Sequence, residues 1–259
     1  MRGSLLLLLV IIAAPARAEG TVEILDARRA EFDAATNTWV LQGDPVRVRR
    51  GDLELQARRI LYQADRMTVL AEGAVRLARP RERATADRLQ VDLRQNVATM
   101  EGTVVLEYDA EEGTVVVAAP RVQTDLRARR AEATGGVHAR YRTLVLRAQV
   151  LRADLGSGTV VATGEPEGTA GSIRVKAGAF QANLREQVLF GTGGVRVADD
   201  RIMAEAPELE FRERERVAFL RGGVEVRRGE DRLWAPEVRY DYGEGRLEAA
   251  GRARVVVRP

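Results

Sequence analysis

His138 is the sole histidine of the chain, and there is no cysteine. Without a cysteine or a second histidine, neither a familiar zinc site nor a Ser-His-Asp centre can be assembled. His138 reads instead as a strand residue close to a turn, and no metal and no cofactor are expected. The acids Asp199, Asp200, Glu230 and Asp231 could be imagined as paired carboxylates that cleave a glycosidic bond. They sit beside glycine-rich turns, however, and read as solvated turn residues. Arg50-Gly51-Asp52 spells an adhesion tripeptide, but Arg228-Gly229-Glu230 recurs at the equivalent place, so turn chemistry accounts for both. Gly191-Thr192-Gly193-Gly194 lacks the helix that a phosphate loop opens into. The chain is therefore expected not to be an enzyme, and its chemistry must come from apolar surface.

Two general features bound that surface. Met1 and Arg2, the apolar run Leu5 to Ala14 and the Ala16-Arg17-Ala18 site form a secretory signal peptide over 1–18, cleaved after Ala18. An apolar run of this length is about half of the roughly 20 residues that span a bilayer. Removing Arg2 and Arg17 from the 41 basic residues leaves 39 against 38 acidic ones, a balance of +1. Acids and bases are interleaved, so there is no basic stripe of the kind nucleic acid requires. Lys176 is the only lysine. An exported protein without disulfides must be held by its core or by the stacking of repeats.

The repeats are plain. Gly43, Gly73, Gly102, Gly135, Gly164, Gly193, Gly222 and Gly251 are separated by 30, 29, 33, 29, 29, 29 and 29 residues. Ala27, Ala57, Ala86, Ala119, Ala148, Ala177, Ala206 and Ala235 each lie 16 residues before one of these glycines. Insertions fall near Pro45–Arg50 and Asp109–Gly113. The result is a 29-residue unit present about seven and a half times, which makes 19–259 one elongated domain.

Within a unit the apolar residues alternate with period two, the mark of a strand, but the phase slips twice. Ile173, Val175 and Ala177 are followed by Phe180, Ala182 and Leu184. Leu144, Leu146 and Ala148 are followed by Leu151, Ala153 and Leu155. Val217 and Phe219 precede Gly222, and Val224 and Val226 follow it on the other parity. A one-residue slip throws side chains to the opposite face unless the strand bends or bulges there. Each strand is thus expected to cross a corner after its alanine or at its glycine. Short links such as Arg50-Gly51-Asp52, Gln63-Ala64-Asp65-Arg66, Gly156-Ser157-Gly158, Gly229-Glu230-Asp231 and Gly243-Glu244-Gly245 suit hairpins. The fold class is all-β: a repetitive antiparallel meander of long bent strands forming a two-sheet, V-shaped jelly-roll. A parallel β-helix is the alternative, although it does not need hairpin turns twice per repeat.

The unit Ala206-Pro207-Glu208-Leu209-Glu210-Phe211, followed by Gly222-Gly223-Val224-Glu225-Val226 and echoed in Ala235-Pro236-Glu237-Val238-Arg239-Tyr240, resembles the OstA-like family. That family includes the LptA and LptC proteins of lipopolysaccharide transport. The resemblance covers nearly the whole mature chain. It implies a β-jelly-roll whose apolar interior holds the acyl chains of a lipid, and head-to-tail joining of jelly-rolls through open edge strands. The chain is longer than a usual single bridge domain of that kind.

The expected function is then a periplasmic lipid-binding bridge or chaperone that moves lipopolysaccharide or a related envelope glycolipid toward the outer membrane. A non-catalytic structural β scaffold of the envelope is the alternative, since a plain sandwich core gives the same alternation. Aromatic residues gather toward the ends, from Phe32, Trp39 and Tyr62 to Phe211, Trp234 and Tyr240, whereas the middle repeats use smaller side chains that could leave a lipid-sized gap. The candidate lipid-lining residues are Val104, Leu106, Val115, Val117, Val122, Leu144, Leu146, Leu151, Ile173, Val175, Phe180, Val195, Val197, Leu209 and Phe211. Candidate assembly residues are Val255, Val256 and Val257 on a terminal strand, opposite a second edge near Val22–Phe32. The expected partners are the glycolipid and another jelly-roll or a second copy, not nucleic acid.

Overall fold

The computed structural model describes residues 22–110, 113–200 and 202–257. The leader expected over 1–18, with its cleavage point after Ala18, lies outside these residues. The strands in chain order are β1 (Glu23–Asp26), β2 (Arg29–Asp33), β3 (Thr38–Arg50), β4 (Leu53–Gln63), β5 (Thr68–Arg79), β6 (Glu82–Asp92), β7 (Val97–Ala110), β8 (Gly113–Asp125), β9 (Arg130–Tyr141), β10 (Leu144–Asp154) and β11 (Thr159–Thr163). They continue as β12 (Glu167–Ala170), β13 (Ile173–Lys176), β14 (Ala179–Asn183), β15 (Val188–Thr192), β16 (Val195–Ala198), β17 (Met203–Ala206), β18 (Glu208–Arg212), β19 (Val217–Arg228), β20 (Asp231–Asp241), β21 (Arg246–Ala250) and β22 (Arg254–Val256). There is no helix among the described residues. Two compact units divide the chain: one runs through Ala139 and takes in Arg152–Ser157, and the other holds Arg140–Leu151 and everything described from Gly158 on.

In the first unit, β3 to β8 pair antiparallel, each with the next. This is the meander expected from the turns, and it leaves no place for a parallel β-helix. Every one of these ladders breaks near its middle and resumes with a register shift. Between β7 and β8 the break lies between Glu101 and Val104, where Gly102 and Thr103 stand opposite Pro120 alone. Two residues facing one is a bulge, which bends the strand and lets both limbs turn the same face inward. Proline suits the opposing position because no ladder donor is needed there. Gly102 has φ of 96°, and a Cβ on it would lie 2.0 Å from Asp87 Oδ2, so only glycine fits.

Burial follows the bend. On one limb the inward residues nearest it are Val46, Ala57, Val75, Ala86, Val104 and Ala119; on the other they are Leu41, Ile60, Ala71, Leu89, Met100 and Val122. All are buried. A sheet buries one face this fully only when a second layer covers it, and here each limb covers the other. Outward residues beside the bend form a row of alternating charge across the ladders: Arg59, Glu72, Arg88, Glu101 and Arg121 stand in register. Arg59 and Arg88 both reach Glu72, at 3.5 and 3.8 Å, and Arg88 and Arg121 share Glu101. The interleaved charges of the sequence are this outer face.

The second unit repeats the pattern with more interruptions. Its strands split at the corner into short pairs, β11 with β14 and β13 with β16 among them. The long strands β19 and β20 cross intact, with Gly222 and Gly223 opposite Pro236. Val195, Leu209, Leu220, Val224 and Val238 are buried beside the bend.

The four-residue turns add a second regularity that the strand pattern does not announce. Each ends on a left-handed residue: Asn37, Met67, Asn96, Arg129, Gly158, Gln187, Arg216 or Gly245. From the second of these turns on, the first N–H of the turn is given to the carbonyl of the left-handed residue one repeat back. In the first unit Leu93 donates to Met67, Leu126 to Asn96 and Leu155 to Arg129; in the second, Leu184 donates to Gly158 and Tyr242 to Arg216. Most turns open with an Asp or Asn whose side chain accepts backbone N–H groups two or three residues on, as Asp33, Asp92, Asp125, Asn183 and Asp241 do.

Asp154 is the most strongly held of these caps. Its Oδ1 accepts the Ser157 N–H at 2.9 Å and its Oδ2 accepts Arg130 Nε at 2.9 Å. These bonds, the Ser157 N–H foremost, favour the carboxylate and lower its pKa from 3.8 to about 2. A depressed folded-state pKa contributes stability above the unfolded value and loses it as pH falls through the folded one. We therefore expect Asp154→Asn to be less stable than the parent near neutrality and to lose less on acidification from pH 4 to 2. Urea midpoints measured across that range check it; equal acid sensitivity would remove Asp154 from the account.

Candidate functional site

The inner face of the first unit carries half-buried apolar side chains, and the strand register lays it out in rows. On one limb, moving away from the bend, a row runs Val48, Leu55, Leu77, Ala84, Leu106 and Val117. The row nearest that limb's turns carries Arg79, Glu82, Tyr108 and Val115 in register. On the other limb the row nearest the turns is Phe32, Trp39, Tyr62, Val69, Val91, Ala98 and Thr124. Its side chains shrink steadily, from a Phe32–Trp39 ring pair with centroids 4.9 Å apart to alanine and threonine.

Accessibility falls along the same direction. Trp39 is 44% exposed, and Tyr62, Val69, Val91, Val48, Leu55 and Leu77 are half-buried. Ala98, Leu106, Val115, Val117 and Thr124 are buried. The inner face of this unit is thus open over β3 to β5 and at Val91 of β6, and closed at Ala84 of β6 and over β7 and β8. Small residues there allow the limbs to approach, and they close the space rather than enlarge it.

The candidate lining residues divide accordingly. Val104, Leu106, Val115, Val117 and Val122 are 0–2% exposed, so none of them touches space for a water molecule. In the second unit Leu151, Phe180, Val195 and Leu209 are buried; Leu144, Leu146, Val175, Val197 and Phe211 are half-buried; and Ile173 is exposed. Phe211 stacks on Tyr242 with ring centroids 5.2 Å apart. The structure does not gather these residues into one cavity. The open inner rows over β3 to β6 were not among the candidates, although the aromatic residues Trp39 and Tyr62 marked their position.

The polar candidates lie elsewhere. His138 is exposed. Asp199 caps its own turn, accepting the Ile202 N–H at 2.7 Å, and Gly51 and Gly229 sit in left-handed turn positions with φ of 59°. No group of three or more His, Cys, Asp or Glu among the described residues could hold a metal ion. A depression of about 290 Å³ lies on the outer face of the first unit, between Gln56, Arg76, Thr85 and Val105. Its rim is already paired, since Arg83 binds Glu107 at 3.2 Å and Asp109 at 2.8 Å.

Both ends of the described fold present edge strands. β1 and β2 pair with β3 alone, and β21 and β22 with β20 alone. Val22, Ile24, Leu25 and Phe32 are exposed at the first end. At the other, Val255 and Val257 are 61% and 66% exposed, and Val256, paired with Arg232, is half-buried.

Residues 25–129 match the family model described as LptA/(LptD N-terminal domain) LPS transport protein. The resemblance read from the repeat is borne out over that stretch. No curated protein matches the chain. Among solved structures, LptH of Pseudomonas aeruginosa, the LptA homologous periplasmic component of its lipopolysaccharide transport device, is similar at 14% identity. The match covers 45% of this chain and 95% of that one, with a TM-score of 0.42.

The burial contrast has a measurable consequence. Leu106→Ala, in the closed part, should lower the free energy of unfolding by about 2–5 kcal/mol. Leu77→Ala, in the same row but in the open part, should cost about half as much, because less of its surface leaves water on folding. Urea unfolding of the two variants compares them; equal losses would mean that the inner face is not open over β5.

Proposed function

We propose that this chain is a periplasmic bridge or chaperone that carries lipopolysaccharide or a related envelope glycolipid toward the outer membrane. The match of residues 25–129 to the LPS-transport family is the observation that carries this reading. The inner face supports it: over β3 to β5 apolar side chains on both limbs, and Val91 of β6 on one, stay within reach of a guest. The mechanism is passive. Acyl chains against Trp39, Tyr62, Val69, Leu55 and Leu77 gain about 25 cal/mol for each Å² of apolar surface taken from water, and the sugar head stays in solvent. Nothing in such a step needs a nucleophile or a metal.

A second reading, a rigid spacer with a filled interior, draws support from the lining residues Val104, Val115, Val117 and Val122, which are fully packed. Native mass spectrometry after mild extraction separates the two. A carrier should retain co-purifying lipid and should crosslink to a photoactivatable lipid A through β3 to β6. A chain that is lipid-free and gives no crosslink is the spacer.

The exposed edges suit pairing with another chain, because unpaired strands with apolar side chains are templates for addition. In this reading β22 joins a second copy or another jelly-roll of the same pathway. Val256→Pro should weaken that association, since proline removes a ladder donor and disturbs only the last strand. Sedimentation over a concentration series reads the effect; association equal to the parent's would rule out β22 as the joint.

A further inference from the structure

On the outer faces arginines meet acids closely, as Arg152 does Glu132 at 2.5 Å and Arg221 does Glu237 at 2.8 Å. Arg79 differs. It follows Val75 and Leu77 on the inward parity of β5, and its side chain is only 15% exposed. Its contacts are long: Nη1 to Glu82 Oε2 at 3.4 Å and Nε to Asp52 Oδ1 at 3.7 Å. Nε is buried and has no hydrogen-bond partner among the described residues. Glu82, also facing inward, is 16% exposed.

The repeat supplies its own control for this pair. At the position of Arg79 later repeats carry Tyr108, Tyr141, Ala170, Asp199 and Arg228; at that of Glu82 they carry Val115, Leu144, Ile173, Ile202 and Asp231, and Arg228, opposite Asp231, is exposed where Arg79 is not. Tyr108 pairs with Val115 in register as Arg79 pairs with Glu82. The fold therefore accepts an uncharged pair at this corner. Taking two charges out of water is costly, and loose contacts recover little of that cost. A buried guanidinium N–H left without a partner adds to it. Arg79 adjoins the half-buried Leu77 and Leu55, whereas Tyr108 and Val115 adjoin the buried Leu106 and Val117.

We propose that Arg79 is the binding residue for an acidic oxygen on the head of an amphiphile whose apolar chain lies on the open inner face, and that Glu82 and Asp52 hold the guanidinium in place until that oxygen arrives. The inference rests on the lipid-carrier reading and narrows it to anionic, phosphate-bearing lipids. Guanidinium suits this ligand because its planar fork donates two parallel bonds to a phosphate. The next inward row, Leu77, Leu55 and Val48, continues from Arg79 toward the bend and is only half-buried, so head and chain have adjoining places.

The test uses the mature chain and two single-chain amphiphiles below their micelle concentrations, dodecyl phosphate and dodecyl maltoside, with inorganic phosphate as competitor. Titration calorimetry should show dodecyl phosphate binding about tenfold tighter than dodecyl maltoside, the ratio expected of one charge-assisted contact. Arg79→Gln should reduce the preference to about twofold or less. Arg83→Gln, on the outer face of the same corner, should leave it intact. Glu82→Gln should raise dodecyl phosphate affinity by freeing the guanidinium, and this arm stands even if Arg79→Gln does not fold. The proposal is overturned if the preference survives Arg79→Gln, if Glu82→Gln leaves dodecyl phosphate affinity unchanged, or if inorganic phosphate displaces dodecyl phosphate at equal concentration. If neither amphiphile binds, the lipid-carrier reading itself falls; if both bind equally, only the role of Arg79 does.

Discussion

The constraint on which everything else depends is the parity of the strand. Side chains alternate with period two, so a strand that turns a corner would point its apolar residues outward on the far side. A bulge at the recurring glycine removes that conflict. With Gly102 and Thr103 opposite Pro120, or Gly222 and Gly223 opposite Pro236, one limb gains a residue and the inward set stays inward. Because this happens near the middle of each ladder from β3 to β8, the corners of the first unit align and its two limbs form two layers. Core, outer charge row and open inner face all follow from that alignment.

Much of this was legible in the sequence because the signals were local. The phase slip at Gly222 and the spacing of Ala57 from Gly73 each encode a corner, and Arg50-Gly51-Asp52 encodes a turn. Several features were not legible, for one physical reason: they depend on how far apart the limbs stand. The same valine–alanine pattern gives a packed wall at Val115 and Val117 and an open one at Val48 and Leu55. Small side chains in the middle repeats suggested room, whereas at Ala98 and Thr124 the layers have closed on them. Arg79 was hidden for a related reason. Counting inward from Gly73 requires knowing that a bulge has changed the parity, and only then does Arg79 fall on the inner face.

The family match and the fold bear on different stretches with different force. Residues 25–129 match the LPS-transport family model, and the same stretch contains the open inner rows, the aromatic taper and the Arg79–Glu82 corner. Beyond it, the second unit reuses the bulge and the turn but breaks its strands at the corner. Its inner face mixes buried Val195 and Leu209 with half-buried Val175 and Val197.

The turn ladder has a consequence for how such a chain can change over generations. Each rung runs from one turn to the turn before it, as from Leu93 to Met67 or from Tyr242 to Arg216, and the strands likewise pair with near neighbours in sequence. A duplication or loss of one whole 29-residue block would leave every surviving rung with a partner of the same kind. Length can then be altered by copying or deleting units without redesigning a core, and the short insertions near Pro45–Arg50 and Asp109–Gly113 both fall away from the rungs.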